Sequence, residues 1–124
     1  MILFEELSGK IIAAAIEVHK ATGPGLLEST YQAMMEQELK LRGISFRRQV
    51  DLPVSYKGIA LDCGYRIDLL VEGKIIVEIK AVEEIHPLHE AQLMTYLKLT
   101  GSRVGLLINF NVPVLKDGII RRVL

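Results

Sequence analysis

The chain has 124 residues, of which 50% are hydrophobic and 24% charged, with a formal net charge of +0. That length is one domain, 1–124, by the usual size of about 100 to 200 residues. It can bury about two thirds of its unfolded surface without disulfides or a structural metal. The composition excludes a disordered or collagen-like chain. The balanced charge excludes a global basic field, so any nucleic-acid contact must come from a local patch or a metal. The single cysteine, Cys63, excludes an intramolecular disulfide and a cysteine-based zinc site, and it fits a reducing cytoplasm.

Residues 5–20 read as a helix, with Leu7, Ile11, Ala14, Ala15 and Val18 on one face. Its apolar run, Ile11 to Ile16, is bounded by Glu5, Glu6, Glu17, His19 and Lys20. That run falls far short of the about 20 apolar residues of a membrane helix, and it lacks the basic start and cleavage site of a signal peptide. No membrane association is expected. Thr22-Gly23-Pro24-Gly25 breaks the helix. A second helix follows from about Leu26 to Leu41 and stops at Gly43.

From Ile44 the period changes to two. Ile44, Phe46, Val50, Leu52, Val54 and Tyr56 alternate with mostly polar neighbours, as in a strand, and Pro53 marks an edge or a bulge. Lys57-Gly58 turns the chain into a strand from about Leu61 to Val71. After Glu72-Gly73 comes a strand from Lys74 to Val82, whose run Lys74-Ile75-Ile76-Val77-Glu78-Ile79 reads as central and buried on both faces. His86-Pro87 opens a third helix, with proline at the first helical position, and this helix ends near Gly101. Arg103 to Asn109 and Gly118 to Val123 are two further strands. The order is α-α-β-β-β-α-β-β, an α/β fold with a mixed β-sheet flanked by helices.

The informative residues are charged or polar groups on apolar faces. Glu78 and Lys80 lie two apart on the most hydrophobic strand and so point to the same side. Asp68 sits between Ile67 and Leu69 on the preceding strand. A buried carboxylate needs a partner. Two readings are open: an Asp–Lys–Glu ion pair that is purely structural, or a minimal site for a hard cation such as Mg2+, which favours oxygen ligands and keeps several waters. On the third helix Gln92 and Tyr96 fall within a stripe shared with His89, Leu93, Leu97 and Leu99, so they should meet something polar. On the second helix Glu28 shares a face with Tyr31, Met35 and Leu39. As a first-turn carboxylate it also complements the helix dipole. His19 reads as a core histidine and His86 as a helix cap. Arg47-Arg48 reads as a solvated pair, or as a contact for a phosphate backbone.

Together these residues resemble the PD-(D/E)XK nuclease superfamily, and within it the GxxExxY protein family. Gly25-Leu26-Leu27-Glu28-Ser29-Thr30-Tyr31 spells the family motif, preceded by Val18-His19-Lys20 and Gly23-Pro24. The resemblance continues through Arg66-Ile67-Asp68, Val77-Glu78-Ile79-Lys80 and Gln92-Leu93-Met94-Thr95-Tyr96. The set also resembles the nuclease domains of RecB-type enzymes, which carry GxxE, D, ExK and QxxxY in this order. The position before the aspartate is Ile67 where the superfamily pattern has proline. The resemblance implies a restriction-endonuclease-like core. It implies Mg2+ or Mn2+ held by Asp68 and Glu78, with Lys80 positioning the attacking water. Glu28 would reach the metal or its waters, and Gln92 and Tyr96 would support the site or the scissile phosphate. The implied substrate is DNA or RNA.

Two functions follow as expectations: a Mg2+-dependent nuclease, or a non-enzymatic nucleic-acid or protein interaction module that keeps the fold. Buried carboxylates favour the first. Zero net charge favours the second, or a nuclease that works as a homo-oligomer or with a protein partner. Geometry adds three expectations. A two-residue Glu72-Gly73 turn would pair Asp68 with Val77 and put Asp68 on the wrong face, so a metal site demands an odd-length loop or a bulge. Glu28, Gln92 and Tyr96 should converge on one cleft. Lys80 should bond directly to Asp68 or Glu78.

Overall fold

The computed structural model describes residues 2–124. Helix α1 spans Glu5–Thr22 and buries Ile11, Ala14, Ala15 and Val18, the stripe that the helical spacing requires, together with Ser8 and His19. Gly23, at φ +67°, closes it by donating its N–H to the His19 carbonyl at 2.7 Å. Helix α2, Glu28–Leu41, buries Tyr31, Gln32, Met35 and Leu39.

Strand β1 is Phe46–Asp51. The short strands β2, Val54–Tyr56, and β3, Ile59–Leu61, form a separate two-stranded ribbon. Strands β4, Arg66–Val71, and β5, Ile75–Lys80, are followed by helix α3, Pro87–Thr100. Strand β6 is Val104–Asn109, a 3-10 turn covers Leu115–Gly118, and strand β7 is Ile119–Val123. The main sheet has the order β1-β4-β5-β6-β7. Among the described strands only β5 and β6 pair in parallel, and α3 is the crossover that parallel neighbours need.

Each of the first two expected strands is split in two. Pro53 offers no N–H to a ladder, so the first divides into β1 and β2. The second divides at Asp62-Cys63-Gly64, where Gly64 has φ +75° and donates its N–H to the Asp62 carboxylate at 3.1 Å. Between β2 and β3, Lys57 and Gly58 both take positive φ, the conformation that suits the right-handed twist of a two-residue hairpin.

Two apolar clusters sandwich the main sheet. One gathers Leu69, Val71, Ile75, Val77, Ile79, Val104, Leu106 and Ile108 beneath α1 and α2. The other gathers Ile67, Ile76 and Leu107 beneath Leu93, Tyr96 and Leu97 of α3. Each such Ile, Leu or Val contributes about 1.5–3 kcal/mol by burial. Strand β5 is therefore covered on both faces, as the apolar residues Ile75, Ile76, Val77 and Ile79 on both of its faces require. Leu99 departs from the expected α3 stripe: it is 42% exposed, because the buried face of α3 narrows to Leu93, Tyr96 and Leu97. Among the described residues no helix is long and apolar enough to cross a membrane.

Candidate active site

The loop between β4 and β5 decides whether Asp68 and Glu78 can meet. Val71 pairs with Ile75, Leu70 with Ile76 and Leu69 with Val77, leaving Glu72, Gly73 and Lys74 as a three-residue loop. Glu72 at φ +51° and Gly73 at φ +67° make its turn, closed by Lys74 N–H on the Val71 carbonyl at 2.9 Å. This odd length shifts the register by one and sets Asp68 across from Glu78 rather than Val77. The regular ladder stops at Leu69–Val77, and the two carboxylates brace the strands beyond it. The Asp68 N–H donates to Glu78 Oε2 at 2.8 Å, and the Ile79 N–H donates to Asp68 Oδ2 at 2.8 Å.

Burial sets the electrostatics of this pair. Glu78 is only 5% exposed. Loss of water, then the neighbouring Asp68 charge, raise its carboxyl from 4.5 to about 8, against the lowering effect of the Asp68 N–H and of Lys80. Asp68 is also raised, chiefly by burial, while the Ile79 N–H, Gln49 and Lys80 hold it back.

Lys80 is half-buried on the same strand. Among the described residues its ammonium forms no ion pair within 4.0 Å, contrary to the direct bond expected from the sequence. The physical reason is that the facing oxygens already accept neutral donors: Glu78 Oε2 from the Asp68 N–H, and Asp68 Oδ1 and Oδ2 from Gln49 and Ile79. Its charge still reaches Asp68, Glu78 and Glu28, lowering all three.

Glu28 is the first residue of α2 and the most solvent-open member of the group. Its carboxyl is raised by desolvation and by Asp68, and lowered by Lys80. With Gln32, Gln49 and Asp68 it lines a cavity of about 430 Å³. Tyr31 explains the local spacing of Gly25, Glu28 and Tyr31. Its hydroxyl donates to the Gly23 carbonyl at 2.6 Å and accepts the Leu26 N–H at 3.2 Å. Its ring stacks on Phe110 at 4.6 Å. Gly25, at φ +104°, lets the loop take that path. One helical turn thus pins the loop from which Glu28 projects.

From α3, Tyr96 is 3% exposed. Its phenol is pushed up to about 12 by burial, then by the charges of Glu78 and Asp68, so it remains a hydrogen-bond donor at any ordinary pH. Gln92 lies one turn earlier, half-buried, in a cavity of about 360 Å³ lined also by Tyr65, His89 and Tyr96. Gln92 makes no side-chain hydrogen bond among the described residues. Gln92 and Tyr96 thus line one cavity and Glu28 another that it shares with Asp68, so the three do not line the single cleft expected from the sequence. The charges of Glu78 and Asp68 nevertheless reach the Tyr96 phenol. His86 is the N-cap residue of α3, and its N–H donates to His89 Nδ1 at 3.1 Å. His89 is shifted down by desolvation, then by the charges of Lys80 and His86. His19 is buried and bonded to the Val112 carbonyl at 2.7 Å, a core role. Arg48 is paired with Glu36 at 2.9 Å, and Cys63 is exposed.

Two further residues bear on the site. Gln32, buried on α2, donates Nε2 to the Asp68 carbonyl at 3.0 Å and to Glu36 Oε2 at 3.0 Å. Its signal was available: it lies four residues after Glu28, on the same stripe. Gln49 of β1 donates Nε2 to Asp68 Oδ1 at 3.3 Å, and nothing in the alternation of β1 points to it.

Among the described residues no group of three or more His, Cys, Asp or Glu side chains stands at metal-ligand spacing. The donor set that remains, a buried Glu78 and a half-buried Asp68 with raised carboxyls, fits an ion that takes one or two protein carboxylates and keeps its waters, as Mg2+ does. It does not fit Zn2+, which takes three or four His, Cys or carboxylate ligands.

Comparison with known proteins adds one match. A family model described as PD-(D/E)XK nuclease superfamily matches residues 5–123. No curated protein and no solved structure matches the chain at a significant level.

Proposed function

The chain belongs to the PD-(D/E)XK nuclease superfamily, and from that premise we propose that it hydrolyses phosphodiester bonds of DNA or RNA, using Mg2+ or Mn2+ held by Asp68 and Glu78. The supporting observation is the braced carboxylate pair itself. Two acids face each other across a buried strand junction, with Glu78 raised to about 8. Without a cation that arrangement is costly, and a divalent ion removes the cost. Such an ion supplies positive charge at a phosphoryl oxygen.

The chain's own residues do the rest. Among the described residues Lys80 has no carboxylate partner of its own, so its Nζ is available to orient the attacking water and to face the phosphate. Glu28, at the open end of the cavity it shares with Asp68, accepts hydrogen bonds from water entering the site. Tyr96, whose phenol stays protonated, donates to a non-bridging phosphate oxygen. Gln92, with no side-chain hydrogen bond among the described residues, offers its amide from the cavity it shares with Tyr96. We further propose that the chain is a GxxExxY-family protein with the RecB-like order GxxE, D, ExK, QxxxY, forming one nuclease-like domain over 1–124 and working in the cytoplasm. The net charge of +0 limits phosphate grip to local cations, because each backbone contact normally takes its own Lys or Arg. A homo-oligomer or a protein partner would extend that grip.

The test is cleavage of single- and double-stranded DNA and RNA with Mg2+ or Mn2+, alongside metal titration by calorimetry. Asp68→Ala should lose both metal binding and cleavage. Lys80→Ala should bind metal as wild type does and lose cleavage by a factor of about 100 or more. Metal binding unchanged in Asp68→Ala rejects the assignment and leaves an interaction module that keeps the nuclease fold.

A further inference from the structure

Gln49 stands on β1 across from Asp68, at the step where the β1–β4 ladder is interrupted. Arg48 pairs with Leu69 and Val50 with Ile67, but the residues between them do not pair. The count is the same on both sides, so no residue is inserted. The interruption is a rotation of the backbone, with Gln49 at φ +45°, a region that residues bearing a Cβ rarely enter.

That rotation inverts the strands. Phe46 and Val50 are four apart and would share a face in a regular strand. Instead Phe46 packs with the cluster under α1 and α2, and Val50 with the cluster under α3. Strand β4 does the same: Leu69 and Val71 belong to the first cluster and Ile67 to the second. Paired strands must invert together, and they do so at Gln49 and Asp68. The Gln49 amide then meets Asp68 Oδ1 at 3.3 Å, while the Ile79 N–H takes Oδ2 at 2.8 Å. Both oxygens are thereby oriented, and Gln49 is the only side chain among the described residues that does this. A neutral amide also suits the task, because it orients the carboxylate and leaves its negative charge for a cation. A lysine or arginine at the same place would neutralise it.

We infer that Gln49 is a positioning residue, its left-handed backbone bringing the side-chain amide onto Asp68 so that the carboxylate is held in one orientation toward the metal. The inference rests on Asp68 being a metal ligand, as proposed above, and its test separates the two. Wild type, Gln49→Gly and Gln49→Asn are compared for Mn2+ affinity by calorimetry and for metal-free stability by urea denaturation. Glycine accepts the left-handed backbone without a Cβ and removes the amide. Asparagine tolerates that backbone and keeps an amide one methylene short of its partner.

Both variants should retain the wild-type denaturation midpoint and bind Mn2+ at least about tenfold more weakly, as losing an orienting partner of a ligand typically does. Wild-type affinity in either folded variant overturns the inference and leaves the metal site standing. Loss of the fold in both variants also overturns it, because Gln49 then serves the strand inversion alone. No Mn2+ binding by wild type overturns the functional assignment and this inference together.

Discussion

Replacing Glu78 by glutamine isolates the cost of the buried carboxylate. The substitution keeps the volume, and its amide oxygen can still accept the Asp68 N–H that Glu78 Oε2 accepts at 2.8 Å. It removes the titration. In the metal-free wild type the Glu78 carboxyl lies at about 8 in the folded state instead of 4.5, so between those values the folded protein holds a proton that the unfolded chain has released. Stability from this group is therefore fully present below about pH 4.5 and is lost as pH rises through about 8. At about 1.4 kcal/mol per pH unit the whole loss is about 5 kcal/mol, a large share of the 5–15 kcal/mol that holds a typical domain together. Asp68, also raised, adds to the loss in the same direction. Urea denaturation at pH 5, 7 and 9 in the presence of a chelator should show wild type falling steadily relative to Glu78→Gln. Saturating Mg2+ should restore wild type at pH 9 and leave Glu78→Gln unmoved. Parallel pH profiles for the two proteins would refute the reasoning, for they would mean that Glu78 ionises as freely in the fold as in water.

Asp68→Asn removes the second cause of the Glu78 shift, so Glu78 should titrate closer to its ordinary value. Carboxyl titration followed by NMR would detect the change, and an unmoved Glu78 would show that burial alone sets it. Tyr31→Phe keeps the stack on Phe110 and deletes the hydroxyl that holds Gly23 and Leu26. It should cost about 1–2 kcal/mol by urea denaturation and lower cleavage by loosening the loop before Glu28; full activity would separate that loop from the site. Gly118→Ala places a Cβ 2.2 Å from the Asn109 carbonyl oxygen. Because backbone must move to admit it, thermal unfolding should register a loss of about 1–3 kcal/mol, and an unchanged Tm would mean the turn after β6 is plastic.

The helices, the central strand and the acids were legible in the sequence because each rests on local spacing. Ile11, Ala14, Ala15 and Val18 can share a face only in a helix, and Pro87 and Gly101 bracket α3. Apolar residues on both alternating faces, as Ile75, Ile76, Val77 and Ile79 supply, demand cover on both sides. The sequence also implied that Asp68 and Glu78 could meet only across an odd loop, and the structure supplies one in Glu72, Gly73 and Lys74. Three features lay beyond local spacing. Among the described residues Lys80 lacks a direct carboxylate partner, because backbone N–H groups and Gln49, brought in by strand pairing, occupy those oxygens first. Gln32 becomes part of the site only because α2 lies over the Asp68 carbonyl. The face that each residue of β1 presents was also undetermined. Counting by twos assumes an extended backbone throughout, and one positive φ reverses the count from that point on. Glycine or asparagine would have announced such a reversal, since either enters the left-handed region readily. Glutamine does not, so the opposite burial of Phe46 and Val50 was decided by packing between the two layers of helices, where each strand must bury apolar residues on both sides of the sheet.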